Sequence, residues 1–255
     1  MKEAWQTASL AEKIPEQLLK HDSWSLGKLL ARDSEGLQVE WEFSLKKQWL
    51  VVRARGEDAE AFCNLLQKKF GENPEQLSKV ERWDVLKGFV TGAGRVGFGV
   101  YVDVGITEPI SKDALYPLHR IRAQLADGVA RPCREILSEN ALADGFPLKV
   151  LVTDIEGERI SVELADETRV LLLSWRRFPF DRVLAIGVSK EQAEIAVGRA
   201  GLHYDVVDVE PLSPLVQCLV CKIGTDAPGV ISKIGSHLRG ARLASYRTPV
   251  RLSAR

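Results

Sequence analysis

The stretch Thr91–Gly105, TGAGRVGFGVYVDVG, decides the fold of the middle of the chain. Gly92, Gly94 and Gly97 have the spacing of a phosphate-binding glycine loop, but a dinucleotide loop needs a helix directly after it to hold the pyrophosphate. The residues that follow, FGVYVDV, instead alternate with a period of two, which is typical of a strand. We therefore predict a hairpin turn between the strands VLKGFV and FGVYVDV rather than a nucleotide site.

Length and composition restrict the class of protein. A chain of 255 residues is expected to form two or three folding units. No apolar run approaches the roughly 20 residues that span a bilayer, and MKEAWQTASLAEK lacks the layout of a signal peptide. We expect a soluble, cytoplasmic protein with no membrane partner.

The cysteine pair Cys218 and Cys221 has the spacing of half a zinc or redox site. Both residues lie in VQCLVCKI, a predicted strand, where residues three apart point to opposite faces. A structural zinc site needs about four converging ligands, and the four histidines are scattered along the chain. We expect buried thiols and neither a metal ion nor a cofactor.

Apolar periodicity divides the chain into three predicted domains of an α+β protein. Residues 1–82 form an N-terminal α+β domain with two strands, LQVEWEFSL and WLVVRARG, and a helix, EDAEAFCNLLQKKF. Residues 83–166 form a central domain. Residues 167–255 form a connecting helix, DETRVLLLSWRRF, and a C-terminal domain.

The C-terminal domain has a legible order of elements. A strand, RVLAIGV, precedes a helix that Ser189 and Gln192 open as a capping box. Two strands follow, and Asp226 with Pro228 starts a second helix that we expect to end at Gly240. With ARLASYR as the last strand, the order predicts a ferredoxin-like βαββαβ arrangement.

Two phrases of the central segment, FGVYVDVG at 98–105 and LKVLVTDIEGERISVEL at 148–164, resemble the opening and closing phrases of S1 domains. S1 domains are five-stranded barrels of the oligonucleotide-binding (OB) class, and the resemblance covers about 80 residues. His119 lies about two residues later in the chain than the corresponding histidine of S1 domains. The resemblance implies a nucleic-acid-binding face made of Phe98, Tyr101, His119, Asp154 and Arg159.

The alternation itself leaves the role of one aromatic residue open. Phe98 begins the inward series with the valines and is equally well a core residue, whereas Tyr101 shares the other face with Asp103. Tyr101 is therefore the better candidate for an exposed ring, which could stack on a base.

Three further phrases carry a resemblance over most of the chain: DALYPLHRIRAQLADG, PLKVLVTDI and LVCKIGTDAPGVISKIGSHL. In these the chain is similar to an uncharacterised archaeal family, the domain-of-unknown-function family numbered twenty-one ten. The resemblance implies an archaeal origin and no established activity.

The charge is unevenly distributed, with net charges of −1 over residues 1–82, −5 over 83–168 and +6 over 169–255. Phosphate neutralisation supplies most non-specific affinity for nucleic acid, so the C-terminal arginines are candidate phosphate contacts. A solvated basic surface is the alternative. The candidates are Arg176, Arg177, Arg239, Arg242 and Arg247, followed by Arg251 and Arg255.

These observations favour a non-catalytic RNA- or ribosome-binding protein associated with translation or ribosome regulation. The catalytic motifs GxSxG and HExxH are absent, so we expect no catalytic residue. An alternative comes from GTDAPGVISKIGSHLRGARL, which resembles the ligand phrase of ACT domains. That alternative is small-molecule sensing, with a ligand at the Thr225–Gly229 loop.

Overall fold

The structure is a computed structural model that describes residues 4–15 and 26–249, so Arg251 and Arg255 lie outside the described residues. It contains two compact units, one made of Met1–Val80 with Val104–Lys112 and the other of Glu81–Asp103 with Asp113–Arg255. Among the described residues, no helix has the length and apolar character required to cross a membrane.

In its described residues, the first unit contains an antiparallel sheet of order β1-β3-β2 and two α-helices. The predicted alternation in β2 is confirmed, because Trp41 and Phe43 are half-buried and Glu40 and Glu42 are exposed, although the strand begins at Glu40 rather than Leu37. The predicted helix is also confirmed and buries Phe62. The elements are β1 (Gln6–Lys13), α1 (residues 26–33), β2 (Glu40–Lys46), β3 (Trp49–Arg55), α2 (Ala59–Phe70) and the short β4 (Glu75–Gln76).

The central region forms a five-stranded barrel, in agreement with the sequence. The strands follow the order β6-β5-β8-β9-β7, and β7 pairs back to β6 to close the barrel. β7 and β9 are parallel, whereas β5–β6, β5–β8 and β8–β9 are antiparallel. The strands are β5 (Val85–Thr91), β6 (Gly99–Glu108), β7 (Lys112–Pro117), β8 (Pro147–Glu156) and β9 (Arg159–Leu164).

Apolar side chains fill the barrel. Two helices lie between β7 and β8 in the chain, and a third follows β9. Val100, Val102 and Val150 are completely buried, as the period-two pattern predicts. The helix predicted from DETRVLLLSWRRF is confirmed and buries Leu172 and Trp175. The helices are α3 (Leu118–Leu125), α4 (Cys133–Glu139) and α5 (Asp166–Arg177).

The C-terminal region contains an antiparallel sheet of order β11-β12-β10-β13. The predicted order of elements and the Ser189–Gln192 capping box are confirmed. The second helix ends at Ile234 and continues only as a 3₁₀ turn, so its predicted extension to Gly240 is wrong. The elements are β10 (Arg182–Ile186), α6 (Lys190–Arg199), β11 (Val206–Ser213), β12 (Val216–Cys221), α7 (Ala227–Ile234) and β13 (Arg242–Tyr246).

Both faces of the two central strands of this sheet, β10 and β12, are buried. Cys221 belongs to the core beneath α6 and α7, and Cys218 lies on the opposite face, as predicted for residues three apart on a strand. On that opposite face the Tyr246 ring packs against Trp175 of α5, with ring centroids 5.4 Å apart, and Trp175 packs in turn against Phe146 at 6.2 Å. Neither face of β10 and β12 is therefore open to a ligand.

Candidate nucleic-acid interface

The glycine-rich segment joins two antiparallel strands, which confirms the predicted hairpin. Thr91 on β5 pairs with Tyr101 on β6. Gly92 and Gly94 have φ of +62° and +74°, a region that side chains with a Cβ rarely adopt. These glycines therefore serve the turn between the strands.

Two aromatic side chains meet where β6 begins. The rings of Phe98 and Tyr101 pack edge to face, with centroids 6.4 Å apart and an interplanar angle of 89°. Phe98 is 56% exposed, and Tyr101 is half-buried. The protein thus holds a phenylalanine ring in solvent with a second ring supporting it.

The alternative that Phe98 belongs to the core is wrong, and Gly99 supplies the reason. A Cβ on Gly99 would lie 2.5 Å from the carbonyl oxygen of Tyr116, so the backbone there is pressed against β7. The strand begins at this close approach, and the inward series starts one step later at Val100. Phe98 precedes the strand and lies outside the barrel wall.

Helix α3 brings His119 close to the same point. The backbone N–H of Leu118 donates to the carbonyl oxygen of Phe98 at 2.8 Å. His119 is the next residue along the chain and is exposed. The chain therefore places His119 one residue from the backbone contact with Phe98.

Arg159 lies further away, at the other end of the neighbouring strands. Leu115 on β7 pairs with Ser161 on β9 in parallel register, which places Arg159 level with residue 113. Four residues of strand separate that level from Pro117, which touches Gly99, and they span about 13 Å. Arg159 and its neighbour Asp154 are exposed, but the structure does not group them with the aromatic pair.

Two arginines at the glycine loop before the aromatic pair were not predicted from the sequence. Arg95 is exposed within the glycine loop, and the side chain of Arg134 lies over Gly94, with its Cγ 3.5 Å from the position of a Cβ there. Neither guanidinium has a hydrogen bond or an ion pair among the residues that the structure describes. Below, the aromatic edge means Phe98, Tyr101, His119, Arg95 and Arg134.

Only Arg95 carried a signal in the sequence, since it lies inside the motif itself. Arg134 follows Phe98 by 36 residues and is brought to the loop by α4. The thiol of Cys133 at the start of α4 donates to the carbonyl oxygen of Gly99 at 3.3 Å. Helix α4 thereby holds Arg134 against the turn.

The C-terminal arginines fall into two groups. The guanidinium of Arg176 donates to the carbonyl oxygen of Leu125 and to Asn140 Oδ1, the latter at 3.2 Å. Arg242 forms an ion pair with Asp144 at 3.3 Å. Exposed guanidiniums without a protein partner, within the described part of the chain, belong to Arg177, Arg239 and Arg247.

The Thr225–Gly229 loop directs its polar groups at the protein's own carboxylates. Asp226 accepts the backbone N–H of Gly229 at 2.9 Å, and Asp181 accepts that of Ala227 at 3.2 Å. Thr225 Oγ1 donates to Asp205 at 3.2 Å. A ligand carboxylate at this helix start would meet three carboxylates, which is electrostatically unfavourable.

Within the described ranges, no group of three or more His, Cys, Asp or Glu residues could hold a metal ion.

Burial raises the pKa of the Cys133 thiol, so the sulfur beside Gly99 stays protonated and can donate its hydrogen bond.

Three family models match the chain and together cover most of it. They are the DUF2110 N-terminal domain over residues 10–76, the DUF2110 central domain over residues 80–176 and the DUF2110 C-terminal domain over residues 180–245. A search of the curated proteins finds no match.

Proposed function

The chain belongs to the DUF2110 family, and we propose that it binds single-stranded segments of RNA at the aromatic edge, without catalysis. The observation that carries the proposal is the 56% exposed ring of Phe98, held edge to face by Tyr101. An aromatic ring held in solvent is what base stacking requires, and one stacked base contributes about 1 to 3 kcal/mol.

The strand orders support finer assignments of two regions. The barrel order, with one parallel pair between β7 and β9, supports an S1-like OB domain, whose faces bind oligonucleotides. The order β11-β12-β10-β13 supports a ferredoxin-like C-terminal domain. The domain boundaries 1–82, 83–166 and 167–255 stay a prediction.

The charges near the aromatic edge complement the rings. Arg95 and Arg134 have no protein partner among the described residues, and we propose them as the phosphate contacts of the bound strand. The net charge of −5 over residues 83–168 weakens long-range attraction of RNA. The proposed target is therefore RNA presented within a larger ribonucleoprotein such as a ribosomal subunit, with a role in translation.

The first test compares Phe98→Ala with Phe178→Ala. Phe178 is 52% exposed and lies elsewhere on the same unit, so it controls for the loss of an exposed ring. Fluorescence anisotropy with a labelled single-stranded RNA of about 12 nucleotides, within the site size of OB folds, gives the affinity. We expect Phe98→Ala to weaken binding about 5- to 150-fold and Phe178→Ala to leave it unchanged. Equal affinities for the two variants would refute the proposal.

The ribosomal partner is tested separately by sedimentation of tagged protein through a sucrose gradient of native lysate. Co-migration with a subunit, lost after RNase treatment and at raised salt, is the expected result. Migration as a small species in untreated lysate would rule out the ribosome as partner and leave the anisotropy test of RNA binding standing.

A further inference from the structure

A pocket of about 510 Å³ lies within the second unit, beside α3, the end of α5 and the segment after β13. Its volume is in the range of small-molecule sites. Leu125, Val129 and Pro249 contribute apolar lining. The pocket contains none of the five residues of the aromatic edge and requires a separate explanation.

Three guanidiniums line this pocket, and two of them are fixed by the protein. Arg131 donates to the carboxylate of Glu139 at 2.7 Å. Arg176 is held by Leu125 and Asn140, as described above. Arg247 is the third and has no partner among the residues that the structure describes. Against these three cations the lining contains two carboxylates, Asp127 and Glu139, so its net charge is positive.

A buried hydroxyl supplies an independent observation. Tyr246 lines the pocket and is 1% exposed, yet its hydroxyl has no hydrogen-bond partner within residues 4–15 and 26–249. A buried hydroxyl without a partner is destabilising, so such groups are almost always bonded to protein, water or a ligand. The hydroxyl itself has almost no accessible surface, so an occupant of the pocket with an acceptor oxygen would satisfy it after a small local movement that uncovers it.

We propose that this pocket binds a small organic anion of about mononucleotide size. Its phosphate or carboxylate group pairs with Arg247, whose planar guanidinium fits both groups, and accepts from the Tyr246 hydroxyl. Its apolar body lies against Leu125, Val129 and Pro249. The site is distinct from the RNA-binding function proposed above and does not depend on it.

The test measures ligand binding by the full chain with four defined compounds: AMP, ribose 5-phosphate, citrate and inorganic phosphate. Thermal unfolding detects binding, because a ligand of the native state raises Tm with concentration, and calorimetry gives the affinity. The first two compounds represent organic phosphates and citrate represents carboxylates. We expect at least one of these three to bind more tightly than inorganic phosphate, which lacks an organic body.

Two variants and a control locate the site. Arg247→Ala should weaken binding about tenfold or more, since it removes a charged hydrogen-bond donor from an exposed position. Tyr246→Phe keeps the ring and should weaken binding by a smaller factor. Arg199→Ala, at an exposed arginine on α6 outside the pocket, should leave binding unchanged.

Three results would overturn the proposal. One is the absence of binding by all four compounds at millimolar concentration. Another is inorganic phosphate binding as tightly as the organic anions, which would remove the role of the apolar lining. The third is undiminished affinity in Arg247→Ala. Since the RNA test uses Phe98, either proposal can fail while the other stands.

Discussion

Two glycine-containing loops of the second unit resemble ligand-binding motifs, and they differ in what their polar groups do. Around Gly92–Gly97 the guanidiniums of Arg95 and Arg134 have no protein partner among the described residues, and Phe98 projects into solvent. Around Thr225–Gly229 the backbone N–H groups of Ala227 and Gly229 are bonded to carboxylates of the chain. The first loop therefore has hydrogen-bond donors available to a ligand, whereas the donors of the second loop are already bonded to the protein's own carboxylates.

The difference shows what a glycine motif leaves undetermined. In both loops the sequence indicates a turn, because glycine and an N-cap aspartate each favour one local conformation. Whether a ligand can bind depends on the donors and acceptors that remain after folding. Which donors and acceptors remain unbonded depends on residues from distant parts of the sequence, such as Arg134 for the first loop and Asp181 for the second.

The largest effect is expected from the charges of the first loop. Replacing Arg95 and Arg134 together by alanine should reduce the slope of log affinity against log salt by about 1.4, since each phosphate contact on a single strand contributes about 0.7. The matched double variant replaces Arg177 and Arg239, which are exposed arginines of the C-terminal segment. RNA affinity measured at several salt concentrations from about 0.05 to 0.3 M gives the slope for each pair and separates the two.

A reduced slope in the second pair alone would move the phosphate contacts to the basic C-terminal segment, as its charge predicts. It would also remove the distinction between the loops, because the arginines of the first loop would then contribute nothing.

A smaller effect is expected from the second loop. Asp226→Ala removes the side-chain cap of α7 and should lower the free energy of unfolding by about 1 kcal/mol, while RNA affinity stays unchanged. Asp226→Asn is the control, since asparagine caps helices about as well as aspartate. Urea unfolding measures both variants. If Asp226→Ala weakened RNA binding without loss of stability, the conclusion that the polar groups of this loop serve only the protein's own structure would be wrong.

The smallest effect concerns the thiol that precedes the second loop. Burial, followed by Asp181, raises the pKa of Cys221 to about 12, and all four cysteines are buried. At pH 8 the cysteines of the native protein should therefore react very little with Ellman's reagent, whereas all four should react in protein unfolded in urea. Rapid reaction of a native thiol would show that the loop opens.

The same raised pKa has a consequence for stability. A thiol whose pKa is higher in the folded than in the unfolded chain contributes stability that is complete below the unfolded value of about 9. This contribution is lost as the pH rises towards 12. Cys221→Ala should therefore make stability less dependent on pH in that range, as urea unfolding at a series of pH values would reveal.

Local patterns predicted the elements well, because alternation and capping act over a few residues. The hairpin at Gly92–Gly97, the Ser189 capping box and the element order of the C-terminal region are examples. Strand β1 was not predicted from the sequence, although Ala8 and Leu10 are completely buried in it. Its pairing with β3 joins residues about 45 apart, which a short window does not detect.

The candidate site was harder to predict than the fold. Alternation left Phe98 undecided, since the close approach of Gly99 to Tyr116 that ends the inward series is a tertiary contact. Charge counting selected Arg176 and Arg242, but it carries no information on internal partners such as Asn140 and Asp144. Composition shows how many cations exist, and only folding decides which remain available.

The burial of both faces of β10 and β12 has a consequence for how the chain is made. Synthesis proceeds from the amino terminus, so Phe146 and Trp175 exist before the first residue of the sheet at Arg182. The strands of the sheet are synthesised after these two aromatic residues, and Tyr246, which packs against Trp175, is synthesised last of the three. A fragment beginning after α5 would present Leu184 and Cys218 to water, so we expect it to aggregate when it is expressed by itself.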